Sequence, residues 1–167
     1  MNLVMRLAAV VLSSVVALSL PACSADPFVG TWVLNAAQTK AAQPKGAPSA
    51  ALEGTIITIR DARGGKYTAT SEGMTAGTKL QTELTFAFDG KDYTPVINPA
   101  PADTSEVVQA FERVDARTYK STVKLAGEPV MTNLVAVSAD GKTMTATMTW
   151  VGKFANTPGV AAVFDKK

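Results

Sequence analysis

The chain has 167 residues, a length that suits one domain, and it carries a formal net charge of +2, one cysteine and no histidine. The lack of histidine removes the commonest general base and the commonest transition-metal ligand, and the near-neutral balance argues against nucleic-acid binding, which requires clustered lysine and arginine. The composition therefore predicts no metal, no cofactor and no nucleic-acid partner. Since no nucleophile–base pair is evident either, it also predicts that the protein is not an enzyme.

The first 22 residues have the pattern of a secretory signal peptide. Met1–Arg6 carries one positive charge, and Leu7–Leu20 is apolar apart from three serines. This apolar run is shorter than the roughly 20 residues that cross a bilayer, but it suits the apolar core of a signal peptide. Pro21 then ends any helix. We therefore expect residues 1–22 to be removed from the exported protein.

The segment Leu20-Pro21-Ala22-Cys23 resembles the bacterial lipobox, with leucine three residues before the cysteine and a small residue directly before it. The resemblance implies cleavage before Cys23 and a diacylglyceryl group on its sulfur, and two acyl chains hold a protein stably on a membrane. The protein is then expected in the cell envelope, facing the periplasm, with the membrane as its partner. Ser24 in place of aspartate favours the outer membrane. The alternative is ordinary cleavage after Ala25, which would give a soluble periplasmic or secreted protein.

After a tether over residues 23–29, strand patterns recur about every ten residues along the chain. The predicted strands are Gly30–Asn35, Leu52–Arg60, Lys66–Ser71, Leu80–Phe88, Lys91–Val96, Glu106–Val114, Thr118–Leu125, Val130–Ser138, Thr143–Val151 and Val160–Asp165. Asp89-Gly90 is predicted to be the two-residue turn of a hairpin between the fourth and fifth of these strands.

Strict alternation of apolar and polar residues predicts which side chains face the interior. It is clearest in Thr143–Val151, where a row of threonines alternates with apolar residues. The inward residues suit either an adaptable apolar pocket with a few polar groups or an ordinary core. The candidates to line a ligand site are Leu84, Phe86, Phe88, Tyr119, Ser121, Met144, Met148 and Trp150.

Two long connections interrupt the strands, Ala36–Ala51 and Thr94–Ser105. The first is alanine-rich and is predicted to hold a helical turn or two before Pro44. Connections of this length act as lids or binding loops, or as plain spacers. The whole pattern predicts an all-β fold over residues 30–167, an antiparallel up-and-down barrel of about 8–10 strands, because closure removes exposed sheet edges. We expect a monomer, and the alternative architecture is a two-sheet sandwich.

The segment Phe28-Val29-Gly30-Thr31-Trp32-Val33-Leu34 resembles the opening of the lipocalin and fatty-acid-binding protein superfamily, the calycins. In that superfamily a Gly-x-Trp begins the first strand, and the tryptophan packs across one closed end of the barrel. The resemblance implies that Gly30 and Trp32 have this structural role. It also implies a barrel that binds a small apolar ligand, in a domain like those of bacterial envelope lipoproteins.

The chain departs from that family at its end. Fatty-acid-binding proteins carry an Arg-x-Tyr pair that holds the carboxylate of the ligand, whereas Ala162 and Phe164 stand where this pair would fall. The arginine that covers the tryptophan in lipocalins is not evident, and Lys153 is the candidate for its place. The sequence thus predicts an envelope lipoprotein that binds a small apolar ligand without this clamp. The alternative is a structural or partner-binding lipoprotein with a filled barrel.

Overall fold

The computed structural model describes residues 25–45, 54–75, 78–100 and 106–167. The strands are β1 (Gly30–Leu34), β2 (Ile56–Arg63), β3 (Lys66–Thr75), β4 (Thr78–Ala87), β5 (Asp89–Tyr93), β6 (Val96–Asn98), β7 (Val107–Asp115), β8 (Thr118–Leu125), β9 (Glu128–Val137), β10 (Thr143–Trp150) and β11 (Val160–Lys166). The helices are α1 (Ala36–Ala42) and a 3-10 turn (Gly152–Phe154). The predicted signal peptide, Cys23 and parts of both long connections lie outside the described residues.

These strands form a single 11-stranded sheet in the order β5-β7-β8-β9-β10-β11-β1-β2-β3-β4-β6. Every pairing is antiparallel, and the sheet curls so that the first strand pairs with the last, with Trp32 opposite Lys166. Neighbours in the sheet follow chain order from β7 to β11 and from β1 to β4. The predicted antiparallel up-and-down barrel is confirmed, and the alternative of two packed sheets is wrong.

The two ends of the sheet meet at Phe88, where the prediction of a hairpin is wrong. β4 pairs with β3, and after Phe88 the same chain continues as β5, which pairs with β7. Gly90 has a φ of 74°, and the register of β5 on β7 shifts at this point. A glycine with positive φ and a register shift are typical of a β-bulge, which bends a strand without reversing it. Asp89-Gly90 therefore carries the chain from one side of the barrel to the other.

Alternation along the strands separates the interior from the surface. On β10, Met144 is 2% exposed and faces the core, whereas Thr147 and Thr149 are exposed. The same period places apolar residues of all the long strands in one continuous core. Its fully buried members are Phe28, Trp32, Ile59, Leu84, Phe86, Phe111, Tyr119, Val135, Val137, Met144, Ala162 and Phe164.

The predicted helical turns are present as α1, directly after β1. The side chain of Asn35 caps the helix by accepting a hydrogen bond from the backbone N–H of Gln38 at 3.0 Å. The helix ends at Ala42, before Pro44, as expected of a residue that cannot continue the hydrogen-bond ladder.

Helix α1 occupies the edge of β11 where β1 has ended. The Thr39 hydroxyl donates to the carbonyl of Val163 at 3.2 Å and accepts from its N–H at 2.9 Å. The Gln43 amide makes the equivalent pair of bonds with the backbone of Ala161. Two helical side chains thus satisfy backbone groups that a strand would otherwise pair, and they hold α1 at one end of the barrel.

Candidate ligand-binding cavity

One end of the barrel, here called the closed end, is filled by the aromatic side chains of Phe28, Trp32, Phe86 and Phe111. Phe28 and Trp32 have no exposed surface, and the indole N–H of Trp32 donates to the carbonyl of Phe28 at 2.9 Å. The rings of Phe86 and Phe111 stack with centroids 3.9 Å apart. A β-carbon at Gly30 would lie 2.6 Å from Lys166 Cε, and Gly30 has a φ of 145°. Only glycine suits that position.

A polar cluster fastens the start of the chain to the closed end. The Tyr67 hydroxyl donates to Asp26 Oδ2 at 2.7 Å, and the guanidinium of Arg113 donates to the same oxygen. Arg113 also lies over the ring of Phe88, 4.1 Å from its centroid. Burial, followed by the Asp26 carboxylate, raises the pKa of Tyr67. The N-terminal segment is therefore part of the packed end and not a free tether from Asp26 onward.

The cation that covers the tryptophan is Lys166, not Lys153. Lys166 Nζ lies 5.0 Å from the ring of Trp32 and 3.4 Å from the carbonyl oxygen of Pro27. Lys153 lies over the ring of Phe154 instead. The register of β11 on β1 decides the difference, because it places Lys166 directly opposite Trp32.

The half of the barrel away from Trp32 contains a cavity of about 240 Å³. Its lining residues come from β8, β9, β10 and β11 on one side and from β2, β3 and β7 on the other, and none of them is charged. They are Thr55, Ile57, Ser71, Gln109, Tyr119, Ser121, Met131, Asn133, Val135, Ala146, Met148, Ala162 and Phe164. Small side chains such as Ser121, Ala146 and Ala162 leave the space that aromatic rings occupy at the closed end.

Three polar side chains form one group on the cavity wall. Ser121, which is 2% exposed, accepts hydrogen bonds from Gln109 Nε2 and from Asn133 Nδ2, both at 3.0 Å. Tyr119 lies beside them, and its burial raises the pKa of its hydroxyl. The sequence reasoning missed Gln109 and Asn133. A polar residue at an inward position of an otherwise apolar alternation is the signal that could have found them.

The structure divides the predicted lining residues between the cavity and the packed core. Those that line the cavity are Tyr119, Ser121 and Met148. Those that pack elsewhere in the core are Leu84, Phe86, Phe88 and Met144. Trp150 is half-buried, and its ring lies 6.0 Å from that of Phe154 near the end of the barrel opposite Trp32, here called the open end.

The two positions that depart from fatty-acid-binding proteins both face this cavity. Ala162 and Phe164 lie on its wall, and no arginine or lysine does. The interior offers amides and hydroxyls, so its polarity comes from neutral hydrogen-bonding groups only.

No cluster of three or more histidine, cysteine, aspartate or glutamate side chains suited to a metal ion occurs among the described residues. In the same part of the chain, no helix has the length and apolar character to cross a membrane.

Comparison with known proteins shows the fold. No family model and no curated protein match the chain. Among solved structures, the crystal structure of the wild-type fluorescent protein UnaG is similar, with a TM-score of 0.57 and 18% sequence identity. The match covers 84% of this chain and 97% of that chain. The likeness supports a calycin-like barrel, in agreement with the Gly-x-Trp opening.

Proposed function

We propose that this protein is an envelope lipoprotein whose barrel binds a small apolar ligand and carries out no catalysis. The observation that carries the proposal is the uncharged cavity of about 240 Å³ within a calycin-like barrel. A barrel with a purely structural role has no need of such a space, since native interiors pack at the density of organic crystals. The cavity therefore favours binding over the filled-barrel alternative.

The size of the cavity limits the ligand. Small-molecule sites usually measure roughly 300–1,000 Å³, and an apolar cavity of about 150 Å³ admits benzene. By that scale, a cavity of about 240 Å³ suits a molecule of about ten non-hydrogen atoms. The ligand is thus expected to be a compact ring system or a short chain.

Cavity filling tests the binding proposal. Ala146 lines the cavity, and Thr147 is the next residue of β10 but is exposed on the outside. With 2-methylnaphthalene as the probe in isothermal titration calorimetry, we expect Ala146→Leu to weaken binding about tenfold or more, because the added methylenes take up the site. Thr147→Leu, the matched control, should bind as the wild type does. Equal binding by wild type and Ala146→Leu, or no binding to wild type, would contradict the proposal.

The lipid anchor rests on the lipobox pattern at Cys23. Asp26 follows three residues later and is fastened to the closed end, and three residues span at most about 11 Å. Acyl chains on Cys23 would hold the closed end against the membrane and leave the open end toward the periplasm. Metabolic labelling with an alkyne-tagged fatty acid should mark the wild type and Ser24→Ala but not Cys23→Ser. Equal labelling of Cys23→Ser would refute the anchor.

A further inference from the structure

Two buried side-chain polar atoms have no hydrogen-bond partner among the described residues, Asn133 Oδ1 and Trp150 Nε1. Such an atom costs about 1–3 kcal/mol when left unpaired, so native proteins contain few of them. Both belong to the same face of the barrel wall. Asn133 pairs with Met148 across β9 and β10, and Met131 pairs with Trp150. Since Asn133, Met131 and Met148 line the cavity, this face is the inward one.

A third unused group adjoins them. The hydroxyl oxygen of Ser121 accepts from both Gln109 and Asn133, which uses its two lone pairs and leaves its hydrogen free. No acceptor for that hydrogen is found among the described residues. The wall thus presents an unused acceptor, Asn133 Oδ1, beside an unused donor, the Ser121 hydroxyl. The indole N–H of Trp150 is a second unused donor on the same face.

The charge of the cavity restricts what can meet these groups. None of its lining residues is charged, and Ala162 and Phe164 occupy the places of a carboxylate clamp. A carboxylate placed here would lose its hydration without a cation to replace it, a penalty of several kcal/mol or more. A purely apolar ligand would avoid that penalty but would leave Asn133 Oδ1 unpaired.

We infer that the cavity takes a compact neutral ligand that presents a hydrogen-bond donor next to an acceptor, of the kind found in a lactam or other cyclic amide, and not a fatty acid. The donor of the ligand meets Asn133 Oδ1, and its acceptor takes the hydrogen of Ser121. This inference rests on the proposed ligand-binding function and specifies its chemistry.

Four bicyclic probes of similar size separate the possibilities in calorimetric titrations of the wild type. They are 2-quinolinone, 1-methyl-2-quinolinone, 2-methylnaphthalene and 2-naphthoate. The first presents both donor and acceptor, the second lacks the donor, the third lacks both, and the fourth is an anion. We expect 2-quinolinone to bind about tenfold tighter than each of the others, because only it pairs the wall groups without burying a charge.

Asn133→Leu tests the acceptor directly. The substitution keeps the approximate size of the side chain and removes the amide, so we expect the preference for 2-quinolinone over its methylated form to disappear. Affinity for 2-methylnaphthalene should stay the same or rise. Because an unpaired buried atom is removed, the melting temperature should not fall. Thr132→Val, at the neighbouring outward position of β9, is the matched control and should keep the preference.

The outcomes distinguish this inference from the function beneath it. If 2-methylnaphthalene binds but 2-quinolinone binds no tighter, or 2-naphthoate binds tightest, the neutral donor–acceptor ligand is wrong and the apolar-binding function stands. If Asn133→Leu retains the preference, the assignment of Asn133 is wrong. If no probe binds the folded wild type, both the function and the inference fail.

Discussion

The closed end and the cavity half of the barrel are built from the same strands, yet one is solid and the other hollow. Along β9, Val137 lies in the packed core, and two residues away Val135 lines the cavity, although both are 5% exposed. The inward positions near Val137 face large side chains such as Met144, whereas those near Val135 face Ala146. Alternation decides which side chains point inward, and their volumes decide whether the interior is full.

The two regions also differ in how polar groups are used. At the closed end, Asp26, Tyr67 and Arg113 satisfy one another and fasten the chain start to the barrel. On the cavity wall, Asn133 keeps an unpaired acceptor. A satisfied network stabilises a fold, whereas an unsatisfied buried group is tolerated where something else completes it.

The two tryptophans give the largest expected contrast between these regions. Trp32 is fully buried at the closed end, and Trp150 is half-buried at the open end. We expect Trp32→Ala to lower the free energy of unfolding by about 3–5 kcal/mol in urea titrations, because it leaves a cavity in a packed core. Trp150→Ala should cost clearly less. Equal losses would mean that the closed end is not the main source of stability. Trp32→Phe provides a milder variant should Trp32→Ala fail to fold.

Two matched substitutions on β9 sharpen the comparison. We expect Val137→Phe to destabilise the protein by about 1–3 kcal/mol, the usual effect of overpacking a filled core. Val135→Phe adds the same volume beside the cavity and should change the free energy of unfolding by less than about 1 kcal/mol. Urea unfolding of both variants checks this, and a similar cost for each would show that the cavity half has no room for the added ring.

The smallest effect is expected at alkaline pH. The pKa values of Tyr67 and Tyr119 lie above the ordinary 10.0, chiefly because burial disfavours the phenolate. The folded form holds these protons more tightly, so their contribution is complete below pH about 10 and is lost as the pH rises through the folded-state pKa values. We expect stability to fall by up to about 1.4 kcal/mol per pH unit for each tyrosine.

Phenylalanine substitutions assign that loss to the two regions. Tyr119→Phe should flatten the fall in stability between pH 10 and 11 more than Tyr67→Phe, because Tyr119 is the more deeply buried of the two. The comparison is made by urea unfolding at each pH, where effects shared with the lysines cancel between variants. Identical pH profiles for wild type and both variants would show that neither tyrosine is coupled to folding.

Local patterns predicted the strands and their faces, but they predicted the wrong partner at two places. Asp89-Gly90 suits a hairpin turn and a β-bulge equally well, and only the pairing of β5 with β7 selects the bulge. The cover of Trp32 depends on Lys166, which is distant in sequence and is brought opposite by the register of β11 on β1. Neither the partner of a strand nor its register is written in a window of a few residues.

The amino-acid sequence alone therefore determined the antiparallel β class, the inward faces and the calycin-like opening at Gly30 and Trp32, because alternation and turn residues act over short distances. Only the tertiary structure decided that Ser121, Gln109 and Asn133 meet around an uncharged space. Their meeting depends on the curl of the sheet and on the summed volumes of side chains from many strands, which are non-local properties of the folded chain.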